Sequence, residues 1–222
     1  MKIILWGGTD LIKIKNNLFK NTDEIVNKIK NDKKIYNLSQ SRDHYNTMLN
    51  LNFDRIYYKK LFLTNNKELI EDFIRVKEYG KNIYAYDGYG KHDVYNIPLL
   101  HKLDKLLPEF NFIYSSKCRK DKIQQDEMYK VYEKCFVALR LTDYDGNGMT
   151  TFECGLCGIP TIHNGDFPDS IPWSKDNINE IIDNIRKVSN WNNEQRKKLK
   201  EKYLELFIES IKDDWLCSSF YK

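Results

Sequence analysis

The chain has 222 residues, 41% hydrophobic and 31% charged, enough for one large domain or two small ones and too apolar for a disordered polypeptide. Its net charge of +4 is mild and its lysines and glutamates are interspersed, so the composition does not call for a nucleic-acid partner. No apolar run approaches the ~20 residues that span a bilayer, and the short stretch after Met1-Lys2 is too brief for a signal peptide, which makes the cytoplasm the expected location.

In chain order, residues 2–6 predict a strand that enters the turn Gly7-Gly8-Thr9-Asp10. Asn21 with Glu24 reads as a capping pair opening a helix over 25–29. Lys13, Lys15, Lys20, Lys28, Lys30, Lys33 and Lys34 gather in this region. A solvated face is the first reading of them, and contact with an anionic membrane surface the second. A short strand follows at 35–38, Ser41 caps a helix through Leu51, and 55–63 is extended and aromatic. Leu69, Ile70, Phe73 and Val76 have helical spacing, and Gly80 ends that helix.

The alternation then becomes regular. Strands are expected at 82–86 and 111–115, with a helix between them begun by Asn96 and Pro98. A helix over 125–134 leads to a strand at 136–141. Further on, Ser174 caps a helix with Ile178, Ile181, Ile182 and Ile185 on its apolar face, and a long helix over about 193–211 closes the pattern. Such β-α alternation predicts an α/β fold, a Rossmann-like parallel sheet with helices on both faces.

Five cysteines, an odd number set within predicted strands and helices, fit a reducing compartment. Cys154 and Cys157 form a C-x-x-C inside a helix, whereas a redox pair precedes its helix. Cys118 and Cys135 lack the second close pair that a tetrahedral zinc site needs. These thiols read as small packing residues.

The most informative segment is 136–165, FVALRLTDYDGNGMTTFECGLCGIPTIHNG. A strand runs into a polar, glycine-bearing turn at 143–148. The turn opens a short helix with Thr150 and Thr151 at its start and Glu153 in its first turns. Gly158 stops the helix, and a strand follows at 160–163. A helix N-terminus presented this way offers backbone N–H groups and a favourable dipole to a phosphate, and a carboxylate further along can accept from a ribose diol. That is the layout of a nucleotide-diphosphate site. A ligand-facing carboxylate at Glu153 would stand unpaired in the empty protein.

This segment resembles the donor-binding stretch of B-type glycosyltransferases, enzymes built from two facing Rossmann-like domains. The family pattern of an acid, seven residues, a glutamate and then Gly-x-Pro is matched by Asp145, Glu153 and Gly158-Ile159-Pro160, with Asp145 replacing the commoner Glu. The resemblance implies that Glu153 holds the ribose of a nucleotide-sugar and that Asp145 lies near the sugar and phosphates. It implies donor contacts from Gly146, Asn147, Gly148, Met149 and Thr150, and from the loop that carries Gly88, Gly90 and Lys91. Arg140, placed in a strand, needs a partner, for which Asp143, Asp145 or a phosphate could serve. Lys117, Arg119 and Lys120 follow a strand and are expected at the same rim. His163 and Trp173 read as packing residues.

Leu5-Trp6-Gly7-Gly8-Thr9-Asp10 and the run 35–41 resemble the end of the family's acceptor-binding half, with Gly7 where many members keep a histidine. The implied organisation is an abbreviated acceptor-side part at 1–70, a nucleotide-sugar-binding domain at 71–190, and a C-terminal helix in 191–222. Leu199, Tyr203, Leu206 and Phe207 of that helix are expected to pack back on residues 1–65. The implied activity is sugar transfer from a nucleoside-diphosphate sugar to a glycan or other hydroxyl acceptor. Asp10 and Asp145 are the candidate catalytic acids, configuration is retained, and no metal or other cofactor is expected. Two other readings stay open. One is a non-catalytic donor-binding subunit, with a partner chain or second copy providing the acceptor side. The other is a different Rossmann enzyme, against which the missing third glycine after Gly7-Gly8 counts.

Overall fold

A computed structural model of the chain describes residues 2–6, 11, 14, 16, 21–60, 67–88, 92–143, 145 and 147–211. The chain divides into two compact units, one of residues 1–62 with 144–147 and 210–222, the other of 63–143 with 148–209. The fold is α/β, as the alternation of elements predicts.

The first unit is built on a three-stranded parallel sheet in the order β1-β2-β3: β1 (Lys2–Trp6), β2 (Ile35–Ser39) and β3 (Ile56–Tyr58). Between the strands run α1 (Thr22–Asn31) and α2 (Arg42–Asn50). Trp6, Leu11, Ile14, Val26, Ile29 and Met48 are among its buried core residues, and Phe53 lies 5.7 Å from the Trp6 ring. The Trp6 indole N–H donates to Asn37 Oδ1 at 3.0 Å, which satisfies both buried polar groups. Ser41 caps α2 as expected, accepting from the His44 N–H at 3.2 Å. Asn21 makes no side-chain cap to α1, so the capping pair read from Asn21 and Glu24 is not formed. The strand expected over 55–63 is only three residues long among the described residues.

The second unit contains α3 (Lys67–Arg75), β4 (Asn82–Ala85), α4 (His92–Tyr95), α5 (Ile97–Leu106), β5 (Asn111–Tyr114), α6 (Ser115–Lys120), α7 (Met128–Tyr132) and β6 (Cys135–Leu139). It continues with α8 (Met149–Cys157), β7 (Thr161–Ile162), α9 (Ile178–Ser189) and α10 (Asn193–Ile211). Its four strands are parallel in the order β5-β4-β6-β7. Alternation along β4 sends Ile83 and Ala85 to one face and Tyr84 to the other. On the first face they join Val137, Leu139, Leu100 and Leu103 of α5, and Ile181 and Ile185 of α9. On the second face Tyr84 meets the Tyr132 ring edge-on at 5.1 Å, and Tyr132 meets Phe73 of α3 at 6.1 Å. Helices therefore cover both faces.

Several boundaries differ from the pattern for local reasons. Asn177 caps α9 by accepting from the Glu180 N–H at 3.2 Å, while Ser174 accepts from Asp176 and closes only its own turn. The helix expected over 125–134 is a single 3₁₀ turn (Gln125–Glu127) followed by α7. The chain after β5 forms α6 directly, which the sequence did not indicate.

α10 rests on the second unit. Gly155 of α8 leaves no room for a side chain, since a Cβ there would fall 2.3 Å from the Tyr203 ring. Tyr203 stacks on Phe167 at 6.0 Å and lies 6.4 Å from Phe152, and Phe207 lies 6.1 Å from Phe152. Tyr203 and Phe207, expected to reach residues 1–65, thus have their described ring contacts within the second unit. α10 also closes the C-terminal end of α8. Gly158 ends that helix at φ +81°, with the Ile159 N–H bonded back to Cys154 O at 2.8 Å. Arg196 donates to Gly158 O and Phe136 O, both at 3.2 Å, and Lys200 donates to Ile74 O and Val76 O at the end of α3.

Candidate nucleotide-binding site

In the second sheet β4 is central, β5 lies on one side of it and β6 on the other, so the connections leaving β4 and β6 diverge. Ligands in open α/β sheets gather outside the carboxyl ends of the strands at that divergence. The residues after β4 are Tyr86, Asp87 and Gly88, and those after β6 begin with Arg140.

Arg140 is 7% exposed, and its guanidinium lies over two rings, Tyr86 at 4.4 Å and Tyr95 at 5.3 Å. Those rings meet edge-on at 5.0 Å. The partner that a buried arginine needs thus includes an aromatic pair. Asp143 is engaged elsewhere, accepting from Lys175 Nζ at 2.5 Å. Gly88 has φ +56°, and a Cβ on it would fall 1.9 Å from the Tyr95 ring, so this glycine is required by the tyrosine that supports Arg140. Asn96 ties the two loops together by donating from Nδ2 to Leu141 O at 2.8 Å. Asp87 is buried and fastens the start of α6, accepting from Ser115 Oγ at 2.5 Å, from the Ser116 N–H at 3.0 Å and from Ser116 Oγ.

α8 begins at Gly148 in extended backbone, and no side chain caps it. Its first intrahelical bond runs from the Phe152 N–H to Gly148 O, so the N–H groups of Met149, Thr150 and Thr151 precede the helical ladder. Thr150 and Glu153 line a cleft of about 300 Å³ with Tyr84, Tyr86, Arg119 and Gln125. The uncapped amides and a buried carboxylate therefore belong to one opening.

Glu153 is 7% exposed and both its oxygens are occupied. The Tyr132 hydroxyl donates to Oε2 at 2.7 Å and Gln125 Nε2 donates to Oε1 at 3.0 Å. This corrects the expectation of an unpaired carboxylate: burial demands partners in the empty protein, and side chains provide them. Burial pushes the Glu153 carboxyl above the ordinary carboxylate range, while the two hydrogen bonds and the Arg140 charge work the other way.

Of the residues singled out in the sequence, the structure brings Arg140, Gly148, Met149, Thr150 and Glu153 together in the second unit, with Gly88 behind Arg140. Asp145 and Asn147 cluster with the first unit. Asp10, Gly90, Lys91 and Gly146 lie outside the described residues. The expected basic rim divides. Arg119 lines the Glu153 cleft, while Lys117 and Lys120 line another, of about 620 Å³, beside His101 and Tyr114. A larger cavity, of about 720 Å³, opens at the amino ends of the strands by Tyr79, Phe110 and Trp191. Its buried cation, Arg196, is spent on two carbonyls and the Tyr79 ring at 4.3 Å, so the smaller cleft is the better candidate.

His163 and Trp173 are buried packing residues, 1% and 6% exposed. Cys154 and Cys157 are buried, and burial pushes both thiols up, away from thiolate chemistry. Among the described residues no group of three or more histidine, cysteine or acidic side chains is placed to hold a metal ion, and no helix is long and apolar enough to cross a membrane. Sequence reasoning missed Gln125 and Tyr132. Their separation of seven places them on one face of the helix expected there, but polar-aromatic pairs at that spacing are common on helices of every function.

The fold is the one shared by B-type glycosyltransferases. Sucrose-phosphate synthase from Thermosynechococcus elongatus superposes with a TM-score of 0.58 at 11% identity, covering 99% of this chain and 65% of that enzyme. TarM from S. aureus, in complex with fondaparinux, alpha-GlcNAc-glycerol and UDP, gives a TM-score of 0.60 at 17% identity over 91% of this chain and 46% of TarM. HepE from Anabaena, in complex with UDP-glucose, gives 0.51 at 9% identity over 97% of this chain and 72% of HepE. The chain thus spans from about half to just under two thirds of the length of the first two. No protein-family model and no curated protein matches the sequence.

Proposed function

We propose that the second unit binds a nucleoside-diphosphate sugar and that the chain transfers the sugar to a hydroxyl of a glycan or other acceptor. The observation that carries this reading is the shared cleft of Thr150 and Glu153, where the uncapped start of α8 adjoins a buried carboxylate. Amide donors suit a diphosphate, and a buried carboxylate suits a ribose diol. The complexes of TarM with UDP and of HepE with UDP-glucose support the same ligand class.

In the reaction the bond between the sugar C1 and the phosphate oxygen breaks with its electron pair going to the departing diphosphate, while the acceptor oxygen bonds to C1 and gives up its proton to a base or to the diphosphate. Charge developing there would meet the N–H groups of Met149, Thr150 and Thr151 and the positive field of Arg140. Those groups can do the work of a divalent cation, so we infer metal-independent transfer. Retention of configuration rests on the paired-acid motif Asp145 and Glu153, and Asp10 is the candidate base on the acceptor side.

Calorimetric titration with UDP and UDP-glucose, with and without a chelator, tests the binding step. The expected result is saturable binding of both that the chelator leaves unchanged. Loss of binding in chelator, restored by manganese or magnesium, would overturn the metal-independent reading and point to Asp143 and Asp145 as ligands. Following UDP release from UDP-glucose then separates a transferase from a protein that only holds the donor.

A further inference from the structure

We propose that Tyr132 is the positioning residue of the ribose site and that Gln125 is its releasable cap, leaving Glu153 Oε1 when a nucleotide diol arrives. The proposal rests on the reading of this cleft as a nucleotide-sugar site.

The two oxygens of Glu153 are held by unequal partners. Tyr132 is 1% exposed, wedged between Tyr84 edge-on at 5.1 Å and Phe73 at 6.1 Å. Its hydroxyl cannot turn to water, so leaving Oε2 would strand a buried donor and a buried acceptor together. Gln125 is exposed and stands on a three-residue 3₁₀ turn that no side chain caps. Its amide can leave Oε1 and be solvated at once. Tyr132 therefore fixes the carboxylate plane, and Oε1 is the oxygen whose partner can be exchanged. A diol brings two O–H donors to an acceptor that Gln125 serves with one N–H, so the exchange gains a charge-assisted bond.

The titratable and charged groups that face Glu153 are Tyr132 from α7, Arg140 from the end of β6, and Cys154 and Cys157 from its own helix. Tyr84 of β4 stands behind Tyr132, and Arg119 of α6 lines the same cleft. Burial pushes the Tyr132 hydroxyl and the Cys154 and Cys157 thiols well upward and arginine keeps its charge, so the titration to be followed in this set is that of the Glu153 carboxyl, itself raised by burial.

The test compares UDP with 2′,3′-dideoxy-UDP, by calorimetry over a range of pH, on the full chain and on Tyr132→Phe, Gln125→Ala and Glu153→Gln. Tyr132→Phe keeps the ring and removes the hydroxyl. It is expected to weaken UDP about tenfold and leave the dideoxy ligand unmoved. The pH at which UDP binding is lost should also move upward, because a hydrogen bond that favours the charged carboxylate is gone. Gln125→Ala is expected to tighten UDP by roughly 2- to 10-fold, again without effect on the dideoxy ligand. An unchanged UDP-to-dideoxy ratio and pH midpoint in Tyr132→Phe, or weaker UDP binding in Gln125→Ala, would overturn the assignment. If Tyr132→Phe does not fold, the Gln125→Ala comparison decides alone. Failure of the unaltered chain to prefer UDP over its dideoxy form, or persistence of that preference in Glu153→Gln, would overturn the donor-site reading itself.

Discussion

Glu153→Gln is expected to stabilise the folded chain while weakening its binding of a nucleoside diphosphate about tenfold to a hundredfold. The opposed signs come from one cause. Burial raises the folded-state pKa of Glu153 above its unfolded value, so the group favours folding fully at pH below the ordinary carboxyl range. That contribution is lost as pH rises through the raised value, where a charge must be kept inside. Glutamine carries no charge to bury and keeps a carbonyl for the Tyr132 hydroxyl. The melting temperature of the variant should therefore exceed that of the parent at neutral to mildly alkaline pH, and the gap should close on acidification. Binding follows the charge instead, so UDP affinity of the parent should fall as pH drops through the same range. A variant that melts lower and binds UDP normally would make Glu153 a structural carboxylate of α8.

Tyr203→Ala is expected to produce the largest loss of stability. The side chain is 2% exposed, stacks on Phe167 and covers Gly155, so its removal opens a large cavity between α10 and α8. Such deletions cost about 3–5 kcal/mol. For a chain of this size that corresponds to a fall of about 6–20 °C in melting temperature. Gly155→Ala should also destabilise, because the added methyl meets the same ring. In the double variant the alanine methyl no longer meets a ring, so the two losses should sum to clearly more than the measured total. Calorimetry of the four proteins completes the cycle. Additive losses, or a Tyr203→Ala effect no larger than that of a surface substitution, would remove α10 from its place on α8.

The architecture was legible because its signals are local. Alternating apolar runs, Gly158 after a helix and Pro98 at a helix start mark elements by chemistry within a few residues, and the β4–β7 alternation follows from them. The start of α8 was legible for the same reason. What escaped was non-local. The partners of Glu153 lie 21 and 28 residues earlier in the chain. Asp143, Asp145 or a phosphate was expected beside Arg140, and the two rings that also reach it, from Tyr86 and Tyr95, were not foreseen. Gly88 was read as part of a donor-facing loop, and its close contact with the Tyr95 ring was not foreseen. The target of α10 depended on Gly155, whose missing side chain gives no periodic signal.

The closure of the far end of α8 also bears on its near end. The helix is nine residues long, about 13 Å, and its peptide units place partial negative charge at Gly158. Arg196 binds the Gly158 carbonyl, and the Lys200 ammonium acts on Cys157 in the last turn. Two cations thus stand against the negative pole of α8. The electrostatics of the helix that starts at the cleft are thereby set in part from its far end, by residues of α10.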